Sequence, residues 1–203
     1  MSGKILFIDA NVYLRFYDSA NNKFTSLLET IVELRNNIFV TKQIRDEVYR
    51  NKLTAAINSF DANYKSLGLI KTTLPEHLDE NDDKKLTAWN KKRNKIIKEE
   101  NELKKEYCNI VSNTLQLIMN STDVVSIELD KIFELAKLPS LDDLESARLR
   151  KETGNPPGKT KDPLGDQLSW EQLLRHYIIG NEIWVITNDG DYLSQYNGKY
   201  YLN

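Results

Sequence analysis

The sequence predicts an α/β protein, a three-layer α/β/α sandwich in which helices cover a mostly parallel sheet. Three short apolar runs, at 5–8, 38–40 and 182–186, have the length and composition of buried strands. Segments with apolar residues at helical spacing separate these runs. Alternation of this kind is typical of a parallel sheet, whose functional crevice lies beyond the carboxyl ends of its strands.

The elements of the first half follow in order. The run at 5–8 is the first strand, and a helix begins at about Val12. Residues 24–36 have the apolar pattern of an amphipathic helix. After the strand at 38–40, Thr41 is a candidate N-cap for a helix that runs from about Lys42 past Ala56, with Leu67 as its furthest extent.

The middle of the chain differs in composition. No Gly or Pro lies between Glu76 and Leu138, and charged residues are dense. We expect one long helix at about 83–120 and one or two shorter helices after Ser126. Residues 1–203 are therefore interpreted as a single domain with a helical insertion at about 75–150. A Gly- and Pro-containing loop at 152–161, a helix at 162–177 and strands at 182–186 and 199–202 complete the chain.

Composition limits the setting and the class of protein. With 40% hydrophobic and 29% charged residues the chain is typical of a globular domain, and no apolar run approaches the roughly 18 residues of a membrane span. The first residues lack a signal peptide, and the single Cys108 excludes an internal disulfide, so we expect a cytoplasmic protein. The net charge of −2 means that any contact with nucleic acid needs local basic residues or metal ions.

Aspartates follow two of the predicted strands directly. Asp9 ends the first run, and Asp189 and Asp191 follow the run at 182–186. A carboxylate at the end of a buried strand loses hydration and repels similar neighbours, and a divalent cation such as Mg²⁺ or Mn²⁺ compensates both effects. The alternative is that Asp9 and Asp189 cap the helices that follow them. The residues alone leave both interpretations open.

Four short segments, in order, resemble the motifs of PIN (PilT N-terminus) domains. Residues 6–11 (LFIDAN) resemble the opening strand motif, and residues 187–192 (TNDGDY) resemble the closing T-x-D-x-D-F segment with Tyr in place of Phe. Glu47 fits the position of a helical Glu after the second strand, and Asp166 that of an Asp that begins the last helix. The strings at 156–158, 161–162, 165–166 and 170–171 are similar to a bacterial PIN-like subgroup with an enlarged helical middle.

The resemblance implies a metal-dependent nuclease that hydrolyses phosphodiester bonds, with RNA favoured over DNA. The implied catalytic set is Asp9, Glu47, Asp166 and Asp189, with Asp191 as a further metal ligand. No Ser, Cys or His nucleophile is paired with a base, so water activated by one or two ions of Mg²⁺ or Mn²⁺ is the expected nucleophile. The expected supporting residues are Asn11, Thr187, Asn188 and Asp162.

Two choices within this set depend on local geometry. Asp46 and Glu47 are adjacent on a helix and point about 100° apart, so only one can face the site. Ile44 and Val48 lie on the buried side of Glu47 and favour it. Asp162 precedes Pro163, and initiation of the helix is an alternative role for it. His77 and His176 are interpreted as ordinary surface residues.

Two groups of basic residues are candidates for binding the substrate backbone. Residues 84–98 contain seven basic residues, among them Lys91, Lys92 and Arg93, and an indole at Trp89 that could stack on a base. The alternative is a solvated helix face with Trp89 packed inward. Lys159 and Lys161 lie close in sequence to Asp166. A homodimer, a further C-terminal domain and a partner protein all remain open.

Three rival functions share part of this pattern. A Toprim-type nuclease or phosphotransferase shares the D-x-D at 189–191 but expects Glu in the first strand. A haloacid-dehalogenase phosphatase needs Asp where this chain has Asn11. A catalytically silent PIN-like module that binds RNA or protein is disfavoured, because the acidic set is nearly complete.

Overall fold

Three parallel strands form the central sheet of the computed structural model, which describes residues 3–18, 23–68, 83–157, 164–177, 182–188, 193–197 and 199–202. The strands are β1 (Lys4–Ile8), β2 (Ile38–Phe39) and β3 (Glu182–Ile186), in the order β2-β1-β3. In the register, Phe7 lies opposite Phe39 on one side and Val185 on the other. The predicted α/β class with a parallel sheet is confirmed.

The helices account for most of the described chain. They are α1 (Ala10–Asp18), α2 (Lys23–Glu33), α3 (Lys42–Ser66), α4 (Asp83–Met119), α5 (Val124–Phe133), α6 (Leu141–Glu152) and α7 (Gly165–His176), with a short 3₁₀ turn at Arg35–Asn37. The long helix expected at 83–120 and the shorter ones after it are present as α4, α5 and α6. In the described part of the chain, no helix is long and apolar enough to cross a membrane.

Local sequence explains where several helices begin. Thr41 caps α3 as predicted, since its side chain accepts the Ile44 N–H at 3.2 Å. At α6, Ser140 and Asp143 form a capping box in which each side chain accepts the backbone N–H of the other. The start of α7 differs from the prediction. Its first residue is Gly165 and its N-cap position, Leu164, makes no side-chain capping bond, whereas residues 162 and 163 lie outside the described ranges.

The C-terminal strand forms, but not as a fourth member of the parallel sheet. Residues Lys199–Leu202 (β5) pair antiparallel with Leu193–Tyr196 (β4), and this two-stranded hairpin is a separate sheet. A strand pattern alone does not specify its partner, because pairing depends on which edge the connecting turn brings alongside. Residue 198 in the turn lies outside the description.

The strand order fixes where a site can form. The chain leaves β1 toward β2 on one side and returns to β3 on the other, so the topology reverses between β1 and β3. In open parallel sheets the functional crevice lies at such a reversal, beyond the carboxyl ends of the strands. Asp9 and Thr187 are the first residues after β1 and β3. Below them, Phe7 and Ile8 are almost fully buried in the core.

Candidate active site

Asp9 is held in place by two different parts of the chain. Its backbone N–H donates to the Ile186 carbonyl at 2.9 Å and so extends the pairing of β1 with β3. The carboxylate Oδ1 accepts the Ala10 N–H at 2.7 Å, at the start of α1. Oδ2 accepts the Asn11 side-chain amide and the Thr187 hydroxyl, each at 2.8 Å. The orientation of this half-buried carboxylate is therefore fixed by α1 and by the end of β3.

The residues around Asp9 also bond to one another. The Asn11 amide lies 3.3 Å from the Thr187 hydroxyl, and the Asn11 side-chain oxygen accepts the Asn188 N–H at 3.2 Å. Asn11 thus joins the first turn of α1 to the loop after β3. The structure brings Asn11, Thr187 and Asn188 together with Asp9, and it does so across 176 positions of sequence.

Glu47 lies close enough to Asp9 for the two charges to interact. Burial raises the pKa of Glu47 above its ordinary value, the negative charge of Asp9 raises it further, and Arg50 partly opposes both effects. The neighbouring Asp46 turns to Lys42 and Arg45 instead. Burial alone would raise the pKa of Asp46, but hydrogen bonds from those two cations hold it below the ordinary value. The two adjacent acids therefore have different neighbours: Asp46 is paired with Lys42 and Arg45, whereas Glu47 interacts with Asp9.

Asp166 lies in the first turn of α7 and is half-buried. The preceding Gly165 packs against Gln43 of α3, since a Cβ atom at residue 165 would lie 2.6 Å from Gln43 Nε2 and would require that side chain to shift. One turn further along, the Ser169 and Thr41 hydroxyls are hydrogen-bonded at 2.9 Å. Asp9, Glu47 and Asp166 are all described, and these three carboxylates do not form a group close enough to share one metal ion.

A comparison with known protein families finds a match to this chain. The family model that describes the PIN domain matches residues 6–192. The chain belongs to the PIN-domain family. PIN domains are typically nucleases that act on nucleic acids, and they generally use divalent metal ions. A search of the curated proteins finds no significant match, and neither does a search of the solved structures.

Several residues expected in this PIN-domain site cannot be placed. Asp162, Asp189, Asp191, Lys159 and Lys161 lie outside the described residues. Within the described ranges, no three His, Cys, Asp or Glu side chains lie close enough together to share one metal ion. The described donors at the site, the carboxylates of Asp9 and Glu47, are oxygen ligands of the kind that Mg²⁺ and Mn²⁺ prefer. The donor set fits a hard divalent cation.

The basic stretch of the PIN domain lies on the first half of α4. Lys91 and Lys92 are exposed, whereas Arg93 and Trp89 are half-buried. Ile96 and Ile97 are also half-buried, so this half of the helix has an inward apolar side and an outward basic side. Of the outward lysines, Lys95 lies 3.7 Å from Glu99. The sequence offered two alternatives, a basic surface that binds the substrate backbone and a helix with Trp89 packed inward. The outward side of the helix matches the first, and its inward side matches the second.

Sequence reasoning missed three residues near the site or beneath it. Gln43 supports the start of α7, and Arg50 is the cation that opposes the rise in the pKa of Glu47. Lys52 is 4% exposed and donates to Ser121 and Ser126, each at 2.7 Å. The signal for Lys52 was its place on the series Ile44, Val48, Lys52 and Ala56, four residues apart, which is the buried side of α3.

Proposed function

We propose that this PIN domain is a metal-dependent endonuclease that hydrolyses phosphodiester bonds in RNA. The observation that carries the proposal is the proximity of two carboxylates, Asp9 and Glu47, at the carboxyl edge of the sheet. Their mutual repulsion and partial burial both oppose ionisation, and no ion pair joins Glu47 to a cation in the described part of the chain. A bound divalent cation would relieve both costs.

The proposed ligands come from four places in the sequence. Asp9 and Asp189 would hold the principal ion, and Glu47 and Asp166 would hold a second ion or its waters, with Asp191 as a further ligand. When bound, such ions supply Lewis acidity and the activation of water for attack on the phosphodiester. Asp9 cannot rotate freely, because Asn11 and Thr187 both bond to its Oδ2. Asn188 and Asp162 are proposed to support the ligands in the same way.

RNA is the proposed substrate, bound through local positive charge. Lys91 and Lys92 are exposed on α4 and can reach backbone phosphates without being desolvated. Arg93 is the proposed third contact of this group. Lys159 and Lys161, close in sequence to Asp166, are proposed to meet the phosphate nearer the carboxylates. Such local contacts suit a chain of net charge −2.

We also propose that the helical segment at about 75–150 is an insertion within one PIN domain. Leu129, Ile132 and Phe133 of α5 are almost fully buried and belong to the same hydrophobic core as Phe7 of β1. In addition, the Lys137 N–H donates to the Val40 carbonyl at 2.9 Å, next to β2. These contacts support a helical segment that packs with the sheet.

The test is cleavage of a single-stranded RNA and of the matching DNA by purified protein with Mg²⁺, Mn²⁺ or EDTA. Asp9→Asn keeps the size of the side chain and removes its charge. The matched control is Asp61→Asn, an exposed aspartate on α3 that pairs with Lys65. We expect metal-dependent cleavage of RNA by the wild type and the control, and loss of cleavage in Asp9→Asn.

Each other result has a definite meaning. Cleavage by Asp9→Asn at the wild-type rate would reject this site. Absence of metal-dependent cleavage of either nucleic acid by the wild type would favour a silent binding module. Preference for the DNA strand would reject RNA as the substrate while leaving the site in place.

A further inference from the structure

A cavity of about 290 Å³ lies beside β2, away from the carboxylates. It is lined by Lys4 and Ile5 at the beginning of β1, by residues 35–40, by Leu135 and Lys137, and by His176 at the end of α7. Asp9, Glu47 and Asp166 are not among its lining residues. The cavity is therefore a different surface from the proposed metal site.

The described charged side chains around this cavity are all positive. Arg35 and Lys137 line it beside the imidazole of His176, and no described lining residue is Asp or Glu, although the chain has more acidic residues than basic ones. Neither Arg35 nor Lys137 forms an ion pair within the described ranges. Lys4 also lines the cavity, and its ammonium lies 5.6 Å from the centre of the Trp184 ring. Unpaired cations around a concave surface attract an anion.

The other lining groups suit the rest of a nucleotide. The amides of Asn36 and Asn37 are hydrogen-bonding groups at one side, and Asn37 also donates to the Lys4 carbonyl at 3.3 Å. The imidazole of His176 is stacked on Phe39, with ring centres 4.7 Å apart and planes 28° apart. His176 is itself exposed, so the pair presents a flat ring at the cavity. Base rings stack on such surfaces.

We propose that this cavity binds a nucleotide, with its phosphate at Arg35 and Lys137 and its base against His176. A guanidinium and an ammonium from separate segments match a phosphate, which carries several acceptor oxygens. The volume lies at the lower end of the range for small-molecule sites and limits the occupant to about one nucleotide. The proposal does not depend on nuclease activity.

The direct test is calorimetric titration of the intact protein with adenosine 5′-monophosphate, in low salt and with EDTA. EDTA removes any divalent ion that could hold the phosphate at Asp9 and Glu47, so the outcome is independent of the proposed function. We expect saturable binding of the nucleotide and at least tenfold weaker binding of adenosine. Equal binding of the two ligands, or no binding of the nucleotide, would overturn the proposal.

Variants then locate the site. Arg35→Gln with Lys137→Gln removes two exposed cations, so folding is expected to be retained, and should weaken nucleotide binding at least tenfold. Arg148→Gln with Lys105→Gln removes the same charge elsewhere on the surface and should change it less than twofold. Equal effects of the two pairs would show that only net charge matters and would reject the cavity.

The ring contact has its own readout. His176→Ala should weaken the binding of adenosine 5′-monophosphate more than the binding of ribose 5-phosphate, because only the former has a base that can stack. Equal weakening of both would contradict the placement of the base. A 5′-phosphorylated oligonucleotide compared with its 5′-hydroxyl form identifies the source of the phosphate. If the 5′-phosphorylated oligonucleotide binds more tightly than adenosine 5′-monophosphate, the cavity is assigned to the end of a nucleic acid. If it binds more weakly, the cavity is assigned to free nucleotides.

Discussion

The carboxyl end of β1 and the cavity beside β2 differ in the sign of their charged residues. At the carboxyl end of β1, the charge of Asp9 raises the cost of ionising Glu47. Beside β2, Arg35, Lys137 and His176 line a cavity, and none of its described lining residues is acidic. In other parts of the described chain, side chains of opposite charge form ion pairs, as Lys104 does with Glu100 on α4 and Arg175 of α7 does with Asp143 of α6.

The difference shows that charges of like sign are grouped locally in this protein. Burial and the charge of Asp9 make Glu47 costly to ionise unless a cation binds nearby, and basic groups around one cavity repel one another unless an anion binds. The net charge of −2 does not reveal either region, because the negative charges of one and the positive charges of the other largely cancel in the sum. The comparison predicts that the carboxylates bind a cation and that the cavity beside β2 binds an anion. Substitutions in each region should change the binding of its own ligand.

The largest expected effect separates two adjacent acids on α3. Glu47→Gln should lower metal-dependent RNA cleavage by at least about 100-fold, above the 10–100-fold typical of residues that only support a ligand. Asp46→Asn should change cleavage less than about threefold, because Asp46 is occupied by Lys42 and Arg45.

Thermal unfolding in EDTA gives the same pair a second readout. Since the raised pKa of Glu47 means that its charge opposes folding, Glu47→Gln should raise Tm by about 1–3 °C while activity falls. Equal losses of activity in Glu47→Gln and Asp46→Asn, or a lower Tm in the former, would contradict the assignment.

A smaller effect is expected from a residue that only positions Asp9. Thr187→Val keeps the shape of the side chain but removes the hydroxyl that donates to Asp9 Oδ2 at 2.8 Å. Metal affinity, measured by titration with Mn²⁺, should fall by about 10–100-fold. The control is Thr30→Val, whose hydroxyl bonds to the Ser26 carbonyl on the exposed side of α2. An unchanged affinity in Thr187→Val would remove Thr187 from the site.

The basic side of α4 should contribute a few-fold to RNA binding. Lys91→Gln with Lys92→Gln should lower the slope of log affinity against log salt concentration by about 2, one for each lost phosphate contact. The loss should be the same for RNAs of different sequence. If the slope does not change, the outward face of α4 is only a solvated surface.

The smallest effect concerns an acid that is already paired. Asp143 receives hydrogen bonds from the Ser140 N–H and hydroxyl and from Arg175. Burial alone would raise the pKa of Asp143, but these bonds outweigh it and hold the pKa below the ordinary 3.8. Asp143→Asn should cost about 1–2 kcal/mol at neutral pH, a fall in Tm of about 2–8 °C.

The pH dependence of this cost has a definite sign. Because the folded pKa is lowered, the contribution of Asp143 is complete above pH 3.8 and is lost as pH falls below that value. Unfolding measured from pH 6 down to pH 2 should therefore show the wild type and Asp143→Asn converging in acid. Asp142→Asn is the control, since Asp142 lies 3.5 Å from Arg175 and its side chain is 77% exposed. A difference that persists at pH 2 would contradict the mechanism.

Local signals in the sequence predicted the elements well. Thr41 is followed by a regular apolar series, which fixed both the start and the buried side of α3. The absence of Gly and Pro from the middle of the chain predicted α4. The same helical spacing distinguished Glu47 from Asp46. These features depend on residues that lie within a few helical turns of one another, so their spacing can be seen directly in a single sequence.

Features that join distant segments were not predictable in the same way. Gly165, at the start of α7, packs against Gln43, which lies 122 positions earlier in the chain. The basic cavity combines Arg35, Lys137 and His176, and each looks ordinary in its own segment. Pairing of Lys199–Leu202 with Leu193–Tyr196 likewise depended on a partner that the strand pattern does not name.

The bond from Thr187 to Asp9 spans 178 positions of sequence. Because the amino terminus of a chain leaves the ribosome first, β1 and α1 emerge long before β3 has been synthesised. Until residue 187 has emerged, Asp9 lacks both the strand that pairs with it and the hydroxyl that orients it. If the protein cleaves RNA as proposed, a nascent copy is therefore inactive toward the messenger and ribosomal RNA that surround it during synthesis. The order of the strands delays activity until translation of this region is nearly complete.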